Sequence, residues 1–158
     1  MSTRMPAQRP GLSRQDYGTP PELLAALAAY RGIVPVLDAA ASPENAICPH
    51  YYTEVDDAIT KDWGTVGWVW CNPPFANITP WVEKAYTQSL HPGSQVAMLV
   101  PASVGSNWWR NHVDGKAHVL FLNPRLTFVG CTDPYPKDCA LLLYTPFIKG
   151  GYEVWKWS

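Results

Sequence analysis

The sequence predicts a mostly parallel, doubly wound α/β sheet in one domain, and three observations carry that prediction. Short apolar runs of strand length recur at 33–37, 66–71, 94–100, 117–122 and 139–144, with helical or turn-forming stretches between them. The run at 66–71 stops at Asn72-Pro73-Pro74-Phe75, then a helical pattern leads to the buried run at 94–100, which makes a strand, helix, strand crossover of a parallel sheet. The chain of 158 residues suffices for one substantial core but is short for such a sheet, which leaves little room for a separate recognition domain.

Residues 1–15 combine Pro, Arg and Ser without an apolar period, so they read as a disordered basic arm, with the ordered domain spanning 16–158. Thr19-Pro20-Pro21-Glu22 reads as a helix start, with Thr19 as N-cap, proline in the first turn and Glu22 three residues after the cap. Leu23, Leu24, Leu27 and Ala28 form the apolar face of this helix, and Gly32 ends it. The first strand, 33–37, runs into Asp38-Ala39-Ala40-Ala41-Ser42-Pro43, where small side chains permit close backbone approach by a ligand. An N-capping Asp or Ser before a helical turn would give the same residues.

A second short strand is expected over 49–53, followed by Glu54, Asp56 and Asp57. These acids read either as ligands for hydroxyl and amino groups or as a solvated turn that caps a helix. The next strand meets two prolines after Cys71 and Asn72, and because proline cannot donate to a ladder the strand must end there. At a strand's carboxyl edge, the Asn72 oxygen and the Pro73 carbonyl can accept both hydrogens of one amino group, and Phe75 offers a ring for stacking. The two prolines hold those acceptors rigid, so the segment reads as a receptor for a planar ring with an exocyclic amine.

Thr79-Pro80 reads as the start of another helix, with Ile78, Val82, Ala85, Tyr86 and Leu90 on one face and His91-Pro92-Gly93 as the stop. Residues 101–111 then hold Ser103, Asn107, Trp108, Trp109 and Arg110, suited either to nucleic-acid contact or to a helix that buries its tryptophans. Asp133-Pro134-Tyr135-Pro136 reads as a turn without a catalytic role, because no strand precedes it. A last short strand is expected at 154–157.

Asn72-Pro73-Pro74-Phe75 resembles the Asn/Asp-Pro-Pro-Tyr/Phe motif of amino-group methyltransferases. With Asp16-Tyr17-Gly18-Thr19-Pro20-Pro21, Leu37 to Asn45 and Asp62-Trp63, the chain resembles the phage-type, Dam-like DNA N6-adenine methyltransferases from about Gln15 to Tyr144. The resemblance implies a Rossmann-like sheet, S-adenosylmethionine as methyl donor without a metal, double-stranded DNA as partner, and a target base flipped onto Phe75. It implies cofactor contacts at Tyr17, Thr19, Pro20, Asp38, Ala39 and Ala40, with Asp57 at the cofactor's adenine and Glu54 at its ribose. The Gly-x-Gly of larger methyltransferases is absent, and alanines stand in its place. Arg125, with Phe128, belongs near the target base, and Ser103, Asn107 and Arg110 to the DNA contacts. Recognition falls to loops at 102–115 and 123–138, which implies a short or relaxed target sequence.

The net charge of −1 argues against a uniformly basic DNA-binding surface. Residues 1–15 carry three arginines and no acid, residues 16–100 three basic against nine acidic residues, and residues 101–158 six basic against four acidic. A nucleic acid would therefore meet the amino-terminal arm and the last third. Cys48, Cys71, Cys131 and Cys139 match no metal knuckle and read as reduced thiols. No run of about eighteen apolar residues and no signal-peptide centre is present, so the expectation is a cytoplasmic protein of a bacterial host, without membrane or obligate protein partner. Two alternatives stay open: methylation of another amino group, such as an RNA base, cytosine N4 or protein glutamine, and a degenerate, non-catalytic DNA-binding protein.

Overall fold

The computed structural model of the chain describes residues 18–64 and 66–158. The amino-terminal arm and Tyr17 lie outside the described residues.

Three helices, α1 (Pro21–Arg31), α2 (Thr79–Ser89) and α3 (Asn107–His112), accompany six strands. The strands are β1 (Pro35–Asp38), β2 (Trp68–Cys71), β3 (Gln95–Pro101), β4 (His118–Asn123), β5 (Cys139–Tyr144) and β6 (Tyr152–Lys156). They form one sheet in the order β1-β2-β3-β5-β4-β6. The fold is mixed α/β with a mostly parallel sheet: β1, β2, β3, β4 and β6 point one way, and β5 alone runs against its neighbours β3 and β4.

Strands buried on both faces read as continuous apolar runs, and alternation sorts their side chains between two cores. Val96, Met98 and Val100 of β3 join Val69, Cys71, Ala140, Leu142 and Tyr144 against Val82 and Ala85 of α2 and Trp109 of α3. Ala97 and Leu99 turn the other way, with Trp70, Leu120, Leu141 and Leu143, against Leu23 and Leu27 of α1. The helices thus cover both faces.

Several expectations are corrected. Thr19 is not the N-cap of α1: Pro20 is, with extended backbone (φ −60°, ψ 127°), and no side chain caps the helix. A residue before proline is pushed out of the helical region, so Pro21 forces the start one residue later and releases the Thr19 hydroxyl. Gly32 closes α1 in the left-handed conformation (φ 66°), its N–H reaching the Ala28 carbonyl at 2.8 Å. α2 likewise begins at Thr79 itself, after Ile78, without a side-chain cap. Leu90 is 55% exposed and falls off the apolar face, whose last buried position is Gln88, bonded to Asp62, Ser94 and the Gly64 carbonyl.

No strand forms over 49–53. Tyr51 makes a single parallel bridge to Asp38, flanked by backbone bonds from Asp38 to His50 and between Tyr52 and Asp38. Pro49 and the bends over residues 47–50 leave too few extended residues for a ladder. The last strand begins at Tyr152, two residues earlier than expected.

Candidate active site

Because β1, β2 and β3 are parallel, the chain leaves all three at one edge, and the carboxyl end of β4 and the amino end of β5 lie at that same edge. This rim therefore gathers four loops: those that follow Asp38, Cys71 and Pro101, and the one that runs from Asn123 to Cys139. In open α/β sheets ligands bind outside the carboxyl ends of strands.

β1 and β2 are adjacent, with Asp38 in register with Trp70, and the Ala39 N–H bonds the Trp70 carbonyl at 2.9 Å. Asp38 is 3% exposed, and its carboxylate folds the following loop back on itself: Oδ1 accepts from the Ala40 N–H at 3.3 Å and Oδ2 from the Ile47 N–H at 3.1 Å. Burial outweighs those two donors and pushes its pKa up to about 6. Ala39, Ala40 and Ala41 are buried beneath this loop, where any larger side chain would displace packed neighbours.

Asn72 is the first residue past β2 and is buried. Its Nδ2 donates to the Thr19 hydroxyl at 3.3 Å, which defines the orientation of the amide. Thr19 thus meets the tetrad itself, whereas the sequence reading gave it a helix cap and a cofactor contact. Pro73 is buried, and Pro74 takes extended backbone (φ −60°, ψ 123°) before a single 3-10 turn over Phe75–Asn77. That turn holds Phe75 half-buried, with Ala76 and Asn77 exposed.

Phe75 does not stand alone. Its ring centre lies 5.8 Å from that of Tyr135 and 6.5 Å from that of Phe128, both edge to face, and Tyr135 meets Phe128 at 5.7 Å. Tyr135 belongs to the Asp-Pro-Tyr-Pro segment read as a mere turn, so that reading is incomplete: the segment is a turn, and its tyrosine is buried against the tetrad. Phe128 stands beside the tetrad's aromatic ring.

A cavity of about 350 Å³ opens beside Thr19, between Gly18, Pro21 and Leu24 on one side and Glu44, Asn45, Ala46, Ile47 and Val129 on the other. It joins the start of α1 to the loop that Asp38 organises. Along the acidic turn, the Asp56 carboxylate accepts from the Thr53 N–H at 2.7 Å and closes a capping box. Glu54 and Asp57 are exposed, and Asp57 takes the left-handed conformation (φ 53°) between two 3-10 turns. Among the described residues no group of three or more His, Cys, Asp or Glu is placed to hold a metal ion.

Past β3, Ser103 and Ser106 form a turn into α3, and the helical reading of the tryptophans holds: Trp109 is buried and Trp108 packs half-buried against the same core. Asn107 and Arg110 are exposed. Arg125 is engaged within the chain, its Nε donating to Asp138 at 2.9 Å and its Nη1 to the Pro136 carbonyl at 3.3 Å.

The family model described as DNA N-6-adenine-methyltransferase (Dam) matches residues 7–144. This chain belongs to that family. Among its relatives is the DNA N-6-adenine-methyltransferase of Escherichia phage T1, 33% identical over 118 residues, which cover 75% of this chain and 49% of the relative. The enzyme of the same description from Haemophilus phage HP1 is 28% identical over 116 residues, covering 70% of this chain and 66% of the relative. The chain therefore spans about half of one relative and about two thirds of the other. The matched segment includes every element of the rim from Thr19 to Cys139, so family membership and site geometry concern the same residues. No described helix is long and apolar enough to cross a membrane.

Proposed function

We propose that this chain transfers a methyl group from S-adenosylmethionine to N6 of adenine in double-stranded DNA. The observation that carries the reading is Asn72: a buried side-chain amide at the carboxyl edge of β2, oriented by Thr19 and followed by two rigid prolines and a half-buried ring. Family membership and the names of the phage relatives support the same substrate. Helices on both faces and five strands of one direction support reading the sheet as a compact, doubly wound Rossmann-like methyltransferase sheet.

The exocyclic nitrogen of adenine is a poor nucleophile because its lone pair is delocalised into the ring. Asn72 Oδ1 and the Pro73 carbonyl accept its two hydrogens, which favours a pyramidal nitrogen with the lone pair directed away from the ring. Acceptors suffice here. The surplus proton is lost only after the nitrogen has become cationic, so a strong base is not required and Asn serves where a carboxylate is absent. The target leaves the duplex to reach this pocket, and Phe75 stacks on it.

The residues present fit the methyl donor. The loop that Asp38 closes, packed on buried alanines at 39–41, lines with Ala46 and Ile47 a cavity beside Thr19, whose hydroxyl meets the amide. Thr19, Pro20, Asp38, Ala39 and Ala40, with Tyr17 from outside the described residues, would hold its amino-acid end, and the exposed carboxylates of Glu54 and Asp57 suit its ribose and adenine. When bound it supplies an electrophilic methyl carbon. Ser103, Asn107 and Arg110 on the adjoining loop and helix would meet the DNA backbone.

The test uses S-adenosylmethionine labelled on the methyl group, unmethylated duplex DNA, and the Asn72→Ala variant beside the parent. Digestion to nucleosides and mass spectrometry are expected to find labelled N6-methyl-2′-deoxyadenosine from the parent alone. Label in RNA or protein but not in DNA would refute the proposed substrate, and absent cofactor binding would favour a non-catalytic module.

A further inference from the structure

We propose that Tyr135 is a positioning residue of the base pocket, holding the Phe75 ring in the orientation on which a flipped base stacks. The proposal rests on the adenine-methylating reading above and adds to it a residue outside the tetrad.

The tetrad's aromatic member is its least anchored part. Asn72 and Pro73 are buried at the end of β2, whereas Phe75 rides on one 3-10 turn and is half-buried. A side chain on so short a turn has little local backbone to fix its rotamer. Its orientation is supplied by a second segment: Tyr135 and Phe128 contact it with interplanar angles of 76° and 68° and stand at 89° to one another, three mutually edge-to-face rings. That arrangement suits the ring quadrupoles.

The two supporting rings are themselves fixed. Phe128 is 1% exposed, in the core beneath α1. The Tyr135 N–H bonds the carbonyl of the fully buried Leu126 at 2.6 Å, and Arg125 ties the next residues down through the Pro136 carbonyl and Asp138. The chain between Arg125 and Asp138 therefore closes into a loop whose inward side is aromatic and faces Phe75. A purely structural tyrosine would need no relation to the half-exposed member of the tetrad. This one contacts it directly.

Three variants test the idea in the full chain, with labelled methyl transfer to duplex DNA as the assay. Tyr135→Met fills most of the same volume with a flexible, non-aromatic chain; Tyr135→Phe keeps the ring. The loss of one edge-to-face contact is expected to lower kcat roughly threefold to tenfold in Tyr135→Met. The KM for S-adenosylmethionine should be unchanged, and Tyr135→Phe should turn over like the parent. If Tyr135→Met does not fold, Tyr135→Leu is measured by the same criteria. Parental kcat without the ring, a loss confined to the cofactor's KM, or an equal loss in Tyr135→Phe would each overturn the proposal. So would failure of both non-aromatic variants to fold, which would make the ring purely structural. A parent chain that methylates no DNA would overturn the underlying reading, and the parent control separates that outcome from the others.

Discussion

Replacing Thr19 by Val tests whether that hydroxyl orients the Asn72 amide for the proposed reaction or contacts the cofactor. In the structure it accepts the Asn72 Nδ2 hydrogen at 3.3 Å, where both residues are buried, so water cannot substitute. The bond is long for N–H···O, which places its worth at the low end of the scale for a buried donor left unmade, about 1–2 kcal/mol. If the amide then rotates or tilts, the same energy is lost from the transition state, and kcat/KM should fall about five- to thirtyfold. The loss belongs in kcat if the amide acts on the reacting nitrogen as proposed. Thr19→Ser, which keeps the hydroxyl, should recover most of it. Steady-state kinetics with S-adenosylmethionine and DNA varied separately is the assay. A Thr19→Val enzyme with parental kcat and a raised KM for S-adenosylmethionine would refute this reasoning and restore the simpler role as a cofactor contact.

Asp38 offers a pH test. Its folded pKa, pushed by burial to about 6, lies above the ordinary carboxylate value of 3.8, so the fold disfavours the ionised form. Below the lower value both states are protonated and nothing is lost; stability then falls as pH rises through the window between the two values and stays lower above it, by about 3 kcal/mol at most. Chemical denaturation of the parent and Asp38→Asn from pH 4 to 7 should show the parent losing ground to the variant across that interval. Glu153 works in the opposite sense. Its carboxylate receives bonds from Tyr30, His118 and Arg31 and is held below the usual carboxylate range, chiefly by the Tyr30 hydroxyl. Its stabilisation is therefore present at neutral pH and lost as pH falls through that lowered value. Glu153→Gln should cost about 1–2 kcal/mol, because the Arg31 charge loses its partner while half-buried. This cluster sits at the start of β4 and β6, the edge opposite the rim, so kcat should not move. Gly18→Ala would bring a Cβ to 2.8 Å from Val129 Cβ and must push apart the bridge that joins the two segments. A thermal melt should show the destabilisation, and methyl transfer should weaken with it because the cavity beside Thr19 shares both residues.

The sequence announced the end of β2, the stop of α1 and the apolar strands because each rests on local chemistry: proline without a donor, glycine in a left-handed cap, runs too apolar to face water. It misled where two local rules compete. Thr19-Pro20-Pro21 satisfies the preferences of an N-cap, yet Pro21 constrains Pro20 and moves the helix start, and only the tertiary fold supplies Asn72 as the new partner of Thr19. The acidic turn is another such case. Its capping carboxylate is that of Asp56, and nothing in the spacing of Glu54, Asp56 and Asp57 distinguishes the three. Leu90 continued the helical period on paper but lies past the last turn of α2, where the backbone has already left the register.

Tyr135 was missed for a reason that generalises. Its segment was dismissed because no strand leads into it, a sound test when every strand is parallel, since active residues then follow strands. But Cys-Ala-Leu-Leu-Leu-Tyr reads the same in either direction, and burial on both faces erases the alternation that might have signalled an antiparallel strand. β5 runs against β3 and β4, so the residues before it, and not those after it, stand at the rim. The reversed strand makes the loop from Asn123 to Cys139 a connection between two rim positions. Between its ends, Phe128 and Tyr135 reach Phe75, and Arg125 ties the loop's two arms together through Asp138. In a sheet this small, turning one strand around adds a wall to the candidate site.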